Sequence, residues 1–146
     1  MPSSGAVTSI AHGIQLAVAP VFLLSGIAGL LVVFTNRLGR IIDRARELEG
    51  RSAGATPQEA IAIHADLATL SRRSRLVNAA ITLCTSSALL VCAVIAVLFL
   101  STFLRFDLGA PVAFLFVAAM LALIGGLLFF LREVFLATAS VRFGRR

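Results

Sequence analysis

Three stretches of this chain carry no charged side chain for more than twenty consecutive positions, and no other feature limits its fold so severely. They run from Ile14 to Phe34, from Ala79 to Leu104 and from Ala110 to Leu131. A hydrocarbon layer ~30 Å thick is crossed by about 20 helical residues at 1.5 Å rise each. Unbroken apolar runs of this length therefore predict transmembrane helices, because buried strands are much shorter. The expected fold class is all-α, an integral membrane three-helix protein with one domain over residues 1–146. Only 14% of the residues are charged and 59% are apolar, where a soluble domain has about 25% charged residues. The mean hydropathy is +0.99. The first run does not read as a cleaved leader, which needs a positive segment ahead of it, since no Lys or Arg precedes Arg37.

Charge sets the expected orientation. All 13 basic residues are Arg, and eight of them (37, 40, 44, 46, 51, 72, 73 and 75) lie between the first and second runs. Arg142, Arg145 and Arg146 follow the third run, and Arg105 alone lies between the second and third. Arginines flanking spans are retained on the cytoplasmic side, so the N-terminus is expected outside and the C-terminus inside.

The segment 36–77 predicts a cytoplasmic antiparallel helical hairpin between spans 1 and 2. Leu38, Ile41, Ile42, Ala45 and Leu48 recur at helical spacing, so the first span continues as an amphipathic helix. Arg40 with Asp43, and Arg44 with Glu47, are spaced to pair at i,i+3. Residues 50–55 break the helix. Thr56-Pro57-Gln58-Glu59 then reads as a new start, with Thr as N-cap, Pro at N1 and Glu closing a capping box. Ala60, Ile63, Leu67 and Leu70 suit the apolar face of the first arm, and nothing between Glu59 and Phe103 breaks the second helix before it becomes the second span. Within the first span, Pro20 lacks an N–H and crowds the Leu16 carbonyl. That predicts a kink or break near Ala19, with a separate short helix or turn before it.

Small residues mark the expected packing faces. Ala80, Cys84, Ala88, Cys92 and Ala96 recur at every fourth position of the second span. Ala118, Ala122 and Gly126 do so in the third, and the first has Ser25 and Gly29. Helices in lipid associate by close van der Waals approach, which small residues permit, so these stripes are read either as packing within one protomer or as a subunit interface. Three spans offer few internal partners for so many faces, which favours a homo-oligomer. Asn78, Thr82, Thr85 and Ser86 form a candidate polar path, although such groups more often bond across helices or to their own backbone.

Candidates for chemistry are few. Cys84 and Cys92 read as buried small hydrophobes, too far apart on one helix for a mutual disulfide. His12 and His64 fall on opposite sides of the membrane, no CxxC or HExxH motif occurs, and the spans hold no ionisable group except the thiols. Neither a catalytic site nor a metal or other cofactor is expected. The pI near 11.5 does not imply nucleic acid, because the arginines sit where topology requires them and the aromatics are Phe within the spans. The lipid bilayer and its anionic headgroups are the expected partners of Asn36, Arg37, Arg40, Arg44, Arg72, Arg73 and Arg75.

"PVFLLSGIAGLLVVFTNRLGRIIDRARELE" (20–49), "SRRSRLVNAAITL" (71–83) and "LREVFLATASVRF" (131–143) resemble three blocks of an uncharacterised bacterial membrane-protein family, classified only as a domain of unknown function. The most specific element is the Thr35-Asn36-Arg37 exit from the first span. The resemblance implies three spans and supports the Arg-rich hairpin, and it implies no activity; the expected location is the bacterial inner membrane.

One acid stands out. Glu133 follows the third run directly, at a depth where a carboxylate loses part of its hydration. Arg132 points about 100° away around the helix, so Arg37, or an arginine of a neighbouring subunit, is the better-placed counter-ion. The alternative is that both side chains snorkel separately to headgroups and water. Two function classes remain: a non-enzymatic homo-oligomeric assembly or scaffold protein whose hairpin binds partners or headgroups, and a homo-oligomeric channel or transporter with its pore between protomers.

Overall fold

A computed structural model describes the backbone over residues 4–104 and 109–143. Arg105, Arg145, Arg146 and the side chain of Arg142, all used above for orientation, lie outside the described residues. Every element among the described residues is helical: α1 spans Ser4–Ser52, α2 Pro57–Leu104 and α3 Gly109–Phe143. Each contains a stretch long and apolar enough to cross a membrane, with mean hydropathies of 2.5, 2.6 and 2.7. The second arm of the hairpin and the second span are one unbroken helix, as the absence of breakers predicts. The third helix continues past its apolar run to Phe143.

Pro20 does not divide α1. The helix is continuous through it, which corrects the expectation of a separate short helix before Ala19. Transmembrane helices tolerate proline because neighbouring groups and small local adjustments re-satisfy the freed carbonyl.

The helix boundaries follow local chemistry. α1 runs two residues past Gly50 and ends in a turn in which the Gly54 and Ala55 amides donate to the Arg51 and Ser52 carbonyls, both at 3.4 Å. At the start of α2 the capping box is formed. The Thr56 amide and hydroxyl donate to Glu59 Oε2 at 2.9 and 2.8 Å, and the Glu59 amide reaches back to Thr56 Oγ1 at 3.5 Å. These two donors hold the Glu59 carboxyl below its ordinary pKa. Arg44 and Glu47 pair at 2.7 Å.

Two compact units make up the chain, and every helix contributes to each. The first comprises Met1–Leu30 and Leu83–Ile124. Its core is Ala17 and Ile27 of α1, Cys84, Val91 and Val94 of α2, and Ala119 of α3. Ser87, fully buried among them, donates to the Ala119 carbonyl at 2.7 Å. The second comprises Leu31–Thr82 and Gly125–Arg146. Phe34, Ile41 and Leu48 of α1 are buried here with Ile63, Val77 and Ala80 of α2, and with Gly126 and Glu133 of α3.

In both units the buried positions recur every seven residues: Phe34, Ile41 and Leu48; Cys84 and Val91; Ser87 and Val94; Gly126 and Glu133. A seven-residue repeat keeps one stripe facing a partner helix, whereas each step of four drifts by about 40°. The small-residue stripe of α2 consequently turns away from the core. Ala80 and Cys84 are buried, Ala88 is half-buried, and Cys92 and Ala96 are exposed. Cys92 is thus not a buried hydrophobe, as spacing alone suggested. On α3, Ala118 and Ala122 are half-buried, and the residue in full contact is Ala119.

Substituting Ala119 by Leu is expected to destabilise the detergent-solubilised protein by about 1–3 kcal/mol, through overpacking against the Ser87 stripe. Ala113→Leu, on an exposed face of the same helix, is expected to change little. Thermal unfolding of the two variants side by side checks the difference.

Candidate functional site

Glu133 is one of two acidic side chains C-terminal to the first hairpin, and it has no exposed surface at all. A bare carboxylate in that setting costs several kcal/mol, so its surroundings must supply cations and hydrogen-bond donors. They do so from both other helices. Arg73 of α2 donates Nε and Nη2 to Glu133 Oε1, at 3.0 and 2.9 Å. Arg37 of α1 brings Nε within 2.7 Å of Oε2. That contact is close but off the hydrogen-bonding direction, so Arg37 neutralises by charge while Arg73 neutralises and bonds.

Exposure separates the two arginines in the same sense. The side chain of Arg73 is 19% exposed and that of Arg37 33%. Phe130, one turn before Glu133, gives Arg37 a second contact: the guanidinium carbon lies 5.6 Å from the ring centroid, within cation–π range. The same ring packs on Phe34 at a centroid distance of 4.4 Å. Two cations and one anion leave the triad with a surplus positive charge.

The other sequence-selected residues fall into distinct places. Arg40, Arg72 and Arg75 are exposed, as is Asn36. Arg44 is exposed but held by Glu47. Of the candidate polar path, Asn78, Thr82 and Thr85 are exposed and Ser86 is half-buried. Thr82 donates to the Asn78 carbonyl at 2.9 Å. Among the described residues no group of three or more His, Cys, Asp or Glu side chains comes together in a way that could hold a metal ion.

Arg73 was the residue that sequence reasoning left out as a partner for Glu133, although a signal for it existed. In an antiparallel hairpin, residues equally distant from the turn lie level. Arg37 is 15 residues before the end of α1 at Ser52, and Arg73 is 16 after the start of α2 at Pro57. An α3 carboxylate beside Arg37 therefore meets Arg73 as well.

Comparison with known proteins returns one finding. Residues 17–143 match the family described as "Protein of unknown function (DUF2721)", and the chain belongs to that family. No curated protein and no solved structure matches.

The triad generates an ordered set of stabilities. Glu133→Gln leaves two partly buried guanidiniums without a counter-ion and is expected to cost about 3 kcal/mol, the low end for a broken buried pair because both arginines keep some water. Arg73→Gln should cost more than Arg37→Gln, since Arg73 supplies both hydrogen bonds. Combined with Glu133→Gln, either should cost less than the sum, which a double-mutant cycle on unfolding in detergent measures directly.

Proposed function

We propose that this member of a family of unknown function is a non-enzymatic scaffold of the bacterial inner membrane, in which three spans anchor a cytoplasmic helical hairpin and several copies assemble side by side. The observation that carries this reading is the Arg37–Glu133–Arg73 triad. It ties both arms of the hairpin to the end of the third span, so the hairpin is held in a defined orientation suited to presenting a surface to protein partners or to lipid headgroups.

Assembly is supported by the small residues that face away from the protomer's own core. Ser25 and Gly29 of α1 are exposed, as are Cys92 and Ala96 of α2. A Cβ added at Gly29 would meet nothing within 4 Å. Lipid tails gain nothing special from small side chains, whereas a second helix gains close approach. A second reading, a pore between protomers, draws on the exposure of Asn78, Thr82 and Thr85 at successive turns of one α2 face.

Two measurements test these statements. In lipid nanodiscs the wild-type protein should have the mass of two or more copies, and Gly29→Leu should shift it toward one; a monomeric wild type overturns both the assembly and the pore. In a background with Cys84 and Cys92 replaced by Ser, a cysteine at Gly109 should react with an impermeant thiol reagent from outside intact cells and one at Ser52 should not; the reverse pattern inverts the orientation.

A further inference from the structure

We infer that a pocket at the base of the hairpin binds a phosphate group, and that its occupant is the headgroup of an anionic phospholipid. Arg37, Arg40, Ile41 and Arg44 of α1, with Leu70 and Arg73 of α2, line an open pocket of about 350 Å³. Four of its six lining residues are arginines and none is acidic. The two neighbouring pockets on the hairpin are mixed in charge: Glu59 and Asp66 face Arg44 and Arg51 in one, and Glu49 accompanies Arg46 in the other. Retention of arginines on one side of a membrane explains their number in residues 36–77, but not why four of the eight converge on one pocket.

The charge balance leaves the pocket short of an anion. Glu133 compensates one charge of the Arg37 and Arg73 pair from behind, and Glu47 compensates Arg44. Four guanidiniums against two carboxylates leave two positive charges, of which a phosphodiester neutralises one and a phosphate dianion both. The guanidiniums of the triad are also already oriented. Arg73 is fixed through Nε and Nη2, which leaves its Nη1 uncommitted, and Arg37 is held by its ion pair with Glu133 and by the Phe130 ring, which leaves both its terminal nitrogens. A planar fork held in place loses little freedom when a phosphate arrives, and its geometry suits two parallel N–H···O bonds. Glu133 is thus a positioning residue for this site.

Location and lining favour a lipid over a soluble phosphate. Arg37 is three residues beyond the end of the first apolar run at Phe34, and Glu133 two beyond the third at Leu131, which is where headgroups lie. Ile41 and Leu70 add an apolar wall that inorganic phosphate does not need. The inference rests on the membrane reading above and is independent of subunit number.

The test uses the full-length protein in mild detergent, observed by native mass spectrometry during titration with phosphatidylglycerol, phosphatidylcholine or inorganic phosphate. Phosphatidylglycerol should be retained in preference to phosphatidylcholine. Its apparent affinity should fall by about tenfold or more in the Arg40→Gln, Arg44→Gln double variant, as loss of charge-assisted contacts requires. Arg72→Gln with Arg75→Gln removes the same charge from exposed positions outside the pocket and should change retention little. Arg40 and Arg44 are exposed and outside the triad, so the first double variant should unfold at the wild-type temperature. Equal weakening in the two double variants overturns the site. Equal retention of the two lipids, or displacement of phosphatidylglycerol by equimolar inorganic phosphate, overturns the lipid as its occupant. The same spectra count subunits, so a lipid-retaining monomer rejects the assembly and leaves the site standing.

Discussion

A carboxylate without access to water dictates much of the unit formed by the hairpin and the end of α3. Moving an ion of that kind out of water carries a penalty of several kcal/mol, offset only by well-placed opposite charge and hydrogen bonds. Glu133 meets that requirement with one arginine from each of the other two helices. A shift of α3 by one residue would move the carboxylate by about 1.5 Å along the axis and 100° around it, away from both. The surrounding apolar seam of Phe34, Ile41, Val77 and Gly126 would tolerate such a slip far better, because hydrocarbon contacts are not directional. Charged residues at otherwise apolar seam positions are known to fix register in coiled coils at some expense in stability, and the triad occupies that kind of position here.

The arginines of residues 36–77 carry several demands at once. Two of them neutralise Glu133, one pairs with Glu47, and four line a single pocket. These uses are compatible because a guanidinium offers five donors in a flat fork and can serve a carboxylate along one edge while another stays open. A lysine, with a compact ammonium, could supply the charge but not this sharing. The choice of Arg at every basic position has no such explanation at the exposed sites.

Within the spans the physics changes. Water drives the hairpin's apolar stripe inward, whereas in hydrocarbon only packing and residual polar contacts discriminate one face from another. Ser87 illustrates the second: its hydroxyl has a single buried partner across the helices, the Ala119 carbonyl. Thr35 and Ser25 instead return their hydroxyls to the carbonyls of Leu31 and Val21 in their own helix, at 2.7 and 3.4 Å, which satisfies the group without selecting a neighbour. Most of each apolar window remains outside the core, with 17%, 22% and 11% of the three windows buried, so lipid or further copies must cover the rest.

What the sequence determined by itself follows from local rules. Uncharged length set the number of spans, Thr56 to Glu59 set the start of α2, and the i,i+3 spacing of Arg44 and Glu47 set their pair. Each depends on residues within one helix turn or on a property summed along one run. The sequence offered Arg37 as one of two outcomes for Glu133, the other being separate snorkelling to headgroups and water, and the fold selected the contact. The tertiary structure alone decided which faces meet. It placed Arg73 beside Glu133, sixty residues away in sequence, selected Ala119 over Ala118, and turned Cys92 and Ala96 outward. Small residues at every fourth position look continuous in a sequence, but helices in contact follow the seven-residue repeat, and the drift between the two accumulates only once another helix is present to define a seam.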